Sequence, residues 1–180
     1  MDGHTHFGQT LHYYTPMPKR KQLTLFLKEE ESAPIERIRR KFNRQQYDLI
    51  GSHITLCKED EIEDLDAVLY QLSHLEFPVF EVLLGTPIRF YEGKGVFIPV
   101  MDTSDHLTLM RKQILPISRV MEPHITIMHP RNSTCTDKIF EEILETPIPI
   151  KVTIDQISLI EQELGEKWHV LQTFDLNAKG

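Results

Sequence analysis

Apolar positions along this chain switch repeatedly between a period of two and a period near 3.6, the marks of strand and helix. Leu23-Thr24-Leu25-Phe26-Leu27 reads as a strand, and SAPIERIRRKF after it as a helix, with Ser32 placed to cap and Pro34 suited to a first turn. LIGSHITLC is β-rich and alternating. EDEIEDLDAVLYQLSHL is acidic where it starts, over Glu59 to Glu63, and apolar at Ile62, Leu65, Val68, Leu69 and Leu72, the stripe of an amphipathic helix. FPVFEVLL and PIRFYEG continue as strands, with Gly85, Gly93 and Gly95 at turns.

From Gly95 the order starts again. GVFIPVM reads as strand, SDHLTLMRKQIL as helix, PHITIM as strand and CTDKIFEEIL as helix, then IPIKVTIDQISLI and KWHVLQTFDL as strands. Leu23 precedes His53 by 30 positions and Val96 precedes His124 by 28, so the two halves share an itinerary. The expected fold is α+β, an internally duplicated two-lobed structure, each half β-α-β-α-β, with antiparallel sheets forming a central groove. The pseudo-repeats run over about 21–94 and 95–176, within one domain spanning 21–180. Residues 1–20 are polar, follow neither period, and are expected to form an extended arm.

The recurring tetrads HITL (His53 to Leu56) and HITI (His124 to Ile127) carry the chemistry. On a strand, residues two apart share a face, so each tetrad sets an imidazole beside a threonine hydroxyl while its Ile and Leu or Ile point to the core. Cleaving a phosphodiester needs a base on one side of phosphorus and an acid on the other, and histidine can be either near neutral pH. Thr55 and Thr126 can donate to the non-bridging oxygens. A third copy, HLTL at His106 to Leu109, falls on a predicted helix, where positions two apart diverge by about 200°, and is set aside as a decoy.

A net charge of −7 and a pI near 5.7 argue against an extensive nucleic-acid footprint, which leaves a small nucleotide or an RNA end as the partner. Cys57 and Cys135 form no CxxC pair, and neither tetrad has a carboxylate or cysteine in ligand spacing apart from Cys57, four residues beyond His53, so no metal and no cofactor is expected. The opening MDGHTHFGQTLHYYTPMPKRK lacks a signal peptide's apolar run, and no stretch reaches the roughly 18 apolar residues of a membrane span. A cytoplasmic monomer is expected.

Paired His-x-Thr-x tetrads at this spacing, Pro123 before the second, and the closing KWHVLQTFDL resemble the 2H phosphoesterases, the superfamily of LigT-like proteins, 2'-5' RNA ligases and cyclic phosphodiesterases. The resemblance covers roughly residues 21–176. It departs at Gly51-Ser52, where the first tetrad follows no proline. It implies that His53 and His124 are acid–base partners, that Thr55 and Thr126 bind phosphate, and that the chain is a metal-independent hydrolase of 2',3'-cyclic phosphates on nucleotides or RNA ends. RNA end joining is the same chemistry reversed, and RNA processing the expected setting. The alternative is a groove that holds a nucleotide or RNA end without turning it over. Arg131 and Lys58, following the two motif strands, are candidate phosphate contacts, with His129 in the same loop as Arg131. Tyr91 and Trp168 could stack on a base, though core or sheet packing is the stronger explanation of both, and His4 and His6 are a weak metal pair.

Overall fold

The structure is a computed structural model that describes residues 19–115 and 119–177; the expected arm, His4 and His6 included, lies outside them except for its last two residues. Those two open the first strand, β1 (Lys19–Phe26), ahead of the expected start of the domain at 21. Helix α1 (Glu29–Phe42) begins before Ser32, with Glu29, Glu30 and Glu31 in its first turn and Arg39, Arg40 and Lys41 in its last, charges that suit both ends of the helix dipole. Pro34 therefore lies inside the helix and Ser32 caps nothing; its hydroxyl donates to the Glu29 carbonyl. A short helix, α2 (Arg44–Leu49), follows in a stretch assigned to no element from sequence; the strand expected over Leu49 to Cys57 is confined to β2 (His53–Cys57). The helix buries no side chain, so no apolar period marks it.

The acidic stretch forms a single 3-10 turn, Glu59–Glu61, before α3 (Leu65–Ser73), which Asp64 caps by accepting from the Ala67 N–H at 3.0 Å. Strands β3 (Phe80–Leu84), β4 (Ile88–Phe90) and β5 (Gly95–Met101) follow. A Cβ at Gly95 would collide with the Phe90 ring, so glycine is what lets that ring lie on the backbone. The second half continues as α4 (His106–Ile114), β6 (His124–Met128), α5 (Asp137–Glu145), β7 (Lys151–Ile154), β8 (Gln156–Glu163) and β9 (His169–Asp175).

Nine strands form one curled antiparallel sheet in the order β7-β3-β5-β6-β2-β1-β8-β9, with β4 on β5. The two motif strands pair at its centre, Ile54 opposite Ile125. On either side the halves match in detail. Leu25 pairs with Ile54 as Ile98 pairs with Ile125, and each ladder slips at the same place, between Leu23 and Thr24 and between Val96 and Phe97. One face of these four strands, Leu23, Leu25, Ile54, Leu56, Val96, Ile98, Ile125 and Ile127, is fully buried in the core. The opposite face lines the groove.

A later strand of each half crosses over. β3 pairs with β5, and β8 pairs with β1, so each lobe is completed by the other half of the chain. IPIKVTIDQISLI is accordingly two strands: β7 extends the second lobe on β3, and after Asp155 the chain enters β8 in the first.

Candidate active site

Alternation on β2 and β6 sends Ile54, Leu56, Ile125 and Ile127 to the core and His53, Thr55, His124 and Thr126 to the groove. Because Ile54 faces Ile125, Thr126 stands opposite His53 and Thr55 opposite His124, with Cβ atoms about 5 Å apart, and the two histidines form a diagonal pair at about 7–8 Å. That spacing leaves room for one phosphate between the imidazoles.

Each imidazole is set the same way. His53 Nδ1 lies 2.7 Å from the Gly51 carbonyl and His124 Nδ1 lies 2.8 Å from the Glu122 carbonyl. A carbonyl can only accept, so Nδ1 carries the hydrogen in both rings and Nε2 is left toward the groove. Phe26 stands edge-on to His53 at 6.0 Å between ring centres, and Phe97 is tilted against His124 at 5.3 Å.

The surroundings then differ. His53 is half-buried and His124 exposed. Burial pushes the His53 pKa down to about 4, helped by the charges of Arg39 and His124 and opposed by the Gly51 hydrogen bond. Arg39, itself 1% exposed, donates to both Glu36 carboxylate oxygens at 2.7 Å and to the Ile50 carbonyl at 2.7 Å, while Glu36 accepts from the Ser52 N–H. This pair, a buried guanidinium and a partly exposed carboxylate, clamps the turn that presents His53, and Gly51-Ser52 stands where the resemblance expects a proline. Arg111 is its counterpart on α4, bonded to the carbonyls of Leu56 and Arg119 and to Glu61.

The groove walls are unlike. On the first lobe the wall is mainly polar: Thr24 is opposite Thr55, Gln22 donates to the Thr24 hydroxyl at 3.0 Å, and Ser158 and Gln162 follow on β8 with Ile160 between them, all of these but Gln22 and Thr55 buried. On the second it is aromatic: Phe97 is opposite Thr126 and packs on Phe90 at 5.4 Å. Sequence reasoning did not single out either wall. Alternation along β1 would have put Gln22 and Thr24 on one face, but only the register shows which face that is.

Of the remaining candidates, His129 and Arg131 lie together in the loop after β6, an Arg131 Nη 3.3 Å from His129 Nε2; burial lowers the His129 pKa, with Arg131 and then Arg20 adding to it. Trp168 is half-buried beneath the Arg20 guanidinium. Lys58 is exposed past the end of β2, its N–H bonded to Glu61. Tyr91 is in the β4–β5 turn with φ of 51° and a 66% exposed side chain, and no hydrogen bond or ring contact joins it to either motif histidine among the described residues. His106 opens α4 and packs on Phe80 at 4.8 Å, away from the groove, as its helical placement requires. Burial pushes the Cys57 thiol up to about 12, so at neutral pH it is a thiol and a poor metal ligand. Among the described residues no three His, Cys, Asp or Glu side chains converge as a metal site, and no helix is long and apolar enough to cross a membrane.

The profile of the 2'-5' RNA ligase superfamily matches residues 27–166. Among solved structures, E. coli LigT complexed with ATP superposes with a TM-score of 0.65 at 17% identity, covering 89% of this chain and 99% of LigT. LigT complexed with 3'-AMP gives 0.63, at the same identity and coverage. A Thermus thermophilus protein gives 0.57 at 18% identity, covering 89% of this chain and all of that one. No curated protein matches the chain in sequence.

Proposed function

The chain belongs to the 2'-5' RNA ligase superfamily, and on that premise we propose that it is a metal-independent phosphoesterase acting on 2',3'-cyclic phosphates of nucleotides or RNA ends. The observation that carries this reading is the pair of Nδ1-anchored imidazoles on adjacent strands, neither Nε2 hydrogen-bonded among the described residues. His53, neutral because it is buried, takes a proton from water at Nε2 as the water oxygen bonds to phosphorus. The bond from phosphorus to one ribose oxygen breaks, and His124, diagonal to His53 on the adjacent strand, gives that oxygen its proton. Thr55 and Thr126 donate to the non-bridging oxygens as negative charge gathers there. Run backwards with a ribose hydroxyl in place of water, the same transfers join two RNA ends.

Hydrolysis of a 2',3'-cyclic nucleotide in excess EDTA tests the assignment, because proton transfer here needs no Lewis acid. Turnover should persist. Complete loss restored by zinc or manganese would overturn the mechanism, and product binding without any turnover would return the groove to a binding role.

A further inference from the structure

A second cationic place lies along β1, away from the histidines. Lys19 and Lys21 point to the outer face and are bound to Glu161 at 3.0 and 2.8 Å. Arg20, between them, points to the groove face with Gln22 and Thr24. Its guanidinium has no carboxylate within ion-pair range among the described residues. It donates from Nε to Gln162 at 2.8 Å, and again from Nη2, and lies 4.9 Å over the Trp168 ring. Gln162 is 2% exposed, and its own amide donates to the Glu166 carbonyl. Arg20 is thus a half-buried cation held rigid by neutral groups, in a chain whose net charge is −7.

The loop after β6 meets this place around α2. The Trp168 N–H donates to the Leu49 carbonyl at 3.0 Å at one end of α2, and Asn132 donates to Gln46 at 3.2 Å within it. That loop carries Arg131 and His129, whose side chains meet each other and, among the described residues, no carboxylate. The charge of Arg20 is felt at His129.

We propose that Arg20, with Arg131 and His129, forms a second phosphate site that takes a non-reacting internucleotide phosphate of an RNA strand whose 3' end lies between His53 and His124. This rests on the cyclic-phosphate reading above and narrows its substrate to an oligonucleotide end. Arg20 is four residues from Thr24 along the strand, about 13 Å, farther than the reacting phosphate of a mononucleotide extends. A planar guanidinium fixed at one edge presents its remaining donors in the fork that phosphate accepts.

The test compares kcat/KM on a 2',3'-cyclic mononucleotide with that on a short RNA ending in the same cyclic phosphate. Arg20→Gln should lower the RNA value about tenfold, chiefly through KM, and leave the mononucleotide value within about twofold. Lys21→Gln, which removes an equal charge from the opposite face, should change neither, and Arg20→Lys should recover part of the loss. An equal fall on both substrates, no fall on RNA, or an equal effect of Lys21→Gln overturns the site; unchanged Tm shows that the variant is folded. If the wild type hydrolyses neither substrate, the cyclic-phosphate reading has failed, and anisotropy of a labelled 3'-phosphorylated RNA still decides the site. Arg20→Gln, unlike Lys21→Gln, should then weaken binding and reduce the salt slope by about 0.7. An unchanged slope overturns it.

Discussion

At the residue scale the two motif histidines are alike in anchoring and unlike in burial, and the proposed division of base and acid between them rests on that difference. Folding holds the His53 pKa at about 4 instead of the ordinary 6.5, so a neutral base is present in the free protein at any pH above about 4. The acid limb of kcat/KM should therefore fall near pH 4, and His53→Ala should abolish that limb and lower the rate by roughly 100-fold or more, whereas His106→Ala stays within a few-fold of wild type. An acid limb that survives His53→Ala would give the base role to another group. Stability follows the same displacement: between pH 6.5 and about 4 the unfolded chain binds the His53 proton and the folded chain does not, so stability falls as pH falls through that window. His53, Thr55, His124 and Thr126 are legible in sequence because a period of two leaves only one face for them. Arg20 is not, since its meaning depends on a partner, Gln162, 142 positions away.

Among the elements, α1 does more than cover the sheet. Its Glu36 and Arg39 reach the turn Ile50-Gly51-Ser52 and so fix the carbonyl that orients His53. Glu36→Gln should leave Arg39 buried without its counter-charge, a change that costs about 3 kcal/mol, at the low end for such pairs because Glu36 is 21% exposed. The urea midpoint should drop accordingly, and kcat should fall more than KM rises, because the turn presents an imidazole rather than a substrate contact. A stability loss with unchanged kcat would reduce the clamp to a packing feature. The amphipathic helices α3, α4 and α5 were readable from their apolar stripes, and β5 and β6 from alternation. Helix α2 was not, because its six residues bury nothing and its fixed points, Asn43, Gln46 and Leu49, are held by Asn132 and Trp168 from distant parts of the chain.

For the whole molecule, the duplication visible in the sequence understates how far the halves depend on each other. Equal strand order and matched ladder slips in β1–β2 and β5–β6 are what two copies of one unit leave behind, and the spacing of the tetrads shows that much. The exchange of β3 and β8 between the lobes is invisible to periodicity, which marks a strand but not the neighbour it pairs with. It has a consequence for folding. A chain ending at Lys94 keeps β1, β2 and β3 but loses β5, on which β3 pairs, β6, which completes the motif pair, and β8, which covers the other edge of β1. Its apolar face, including Leu25 and Ile54, would lie open to water, and burial of that surface is the main term that offsets chain entropy. The fragments 19–94 and 95–177 should each lack a cooperative thermal transition, and mixing them should restore both the transition and the EDTA-resistant hydrolysis, because β3 and β8 can pair across the break as they do in the intact chain. Circular dichroism melts of the separate and mixed fragments check this. A half that melts cooperatively alone would show that the lobes are independent units and that strand exchange only joins them.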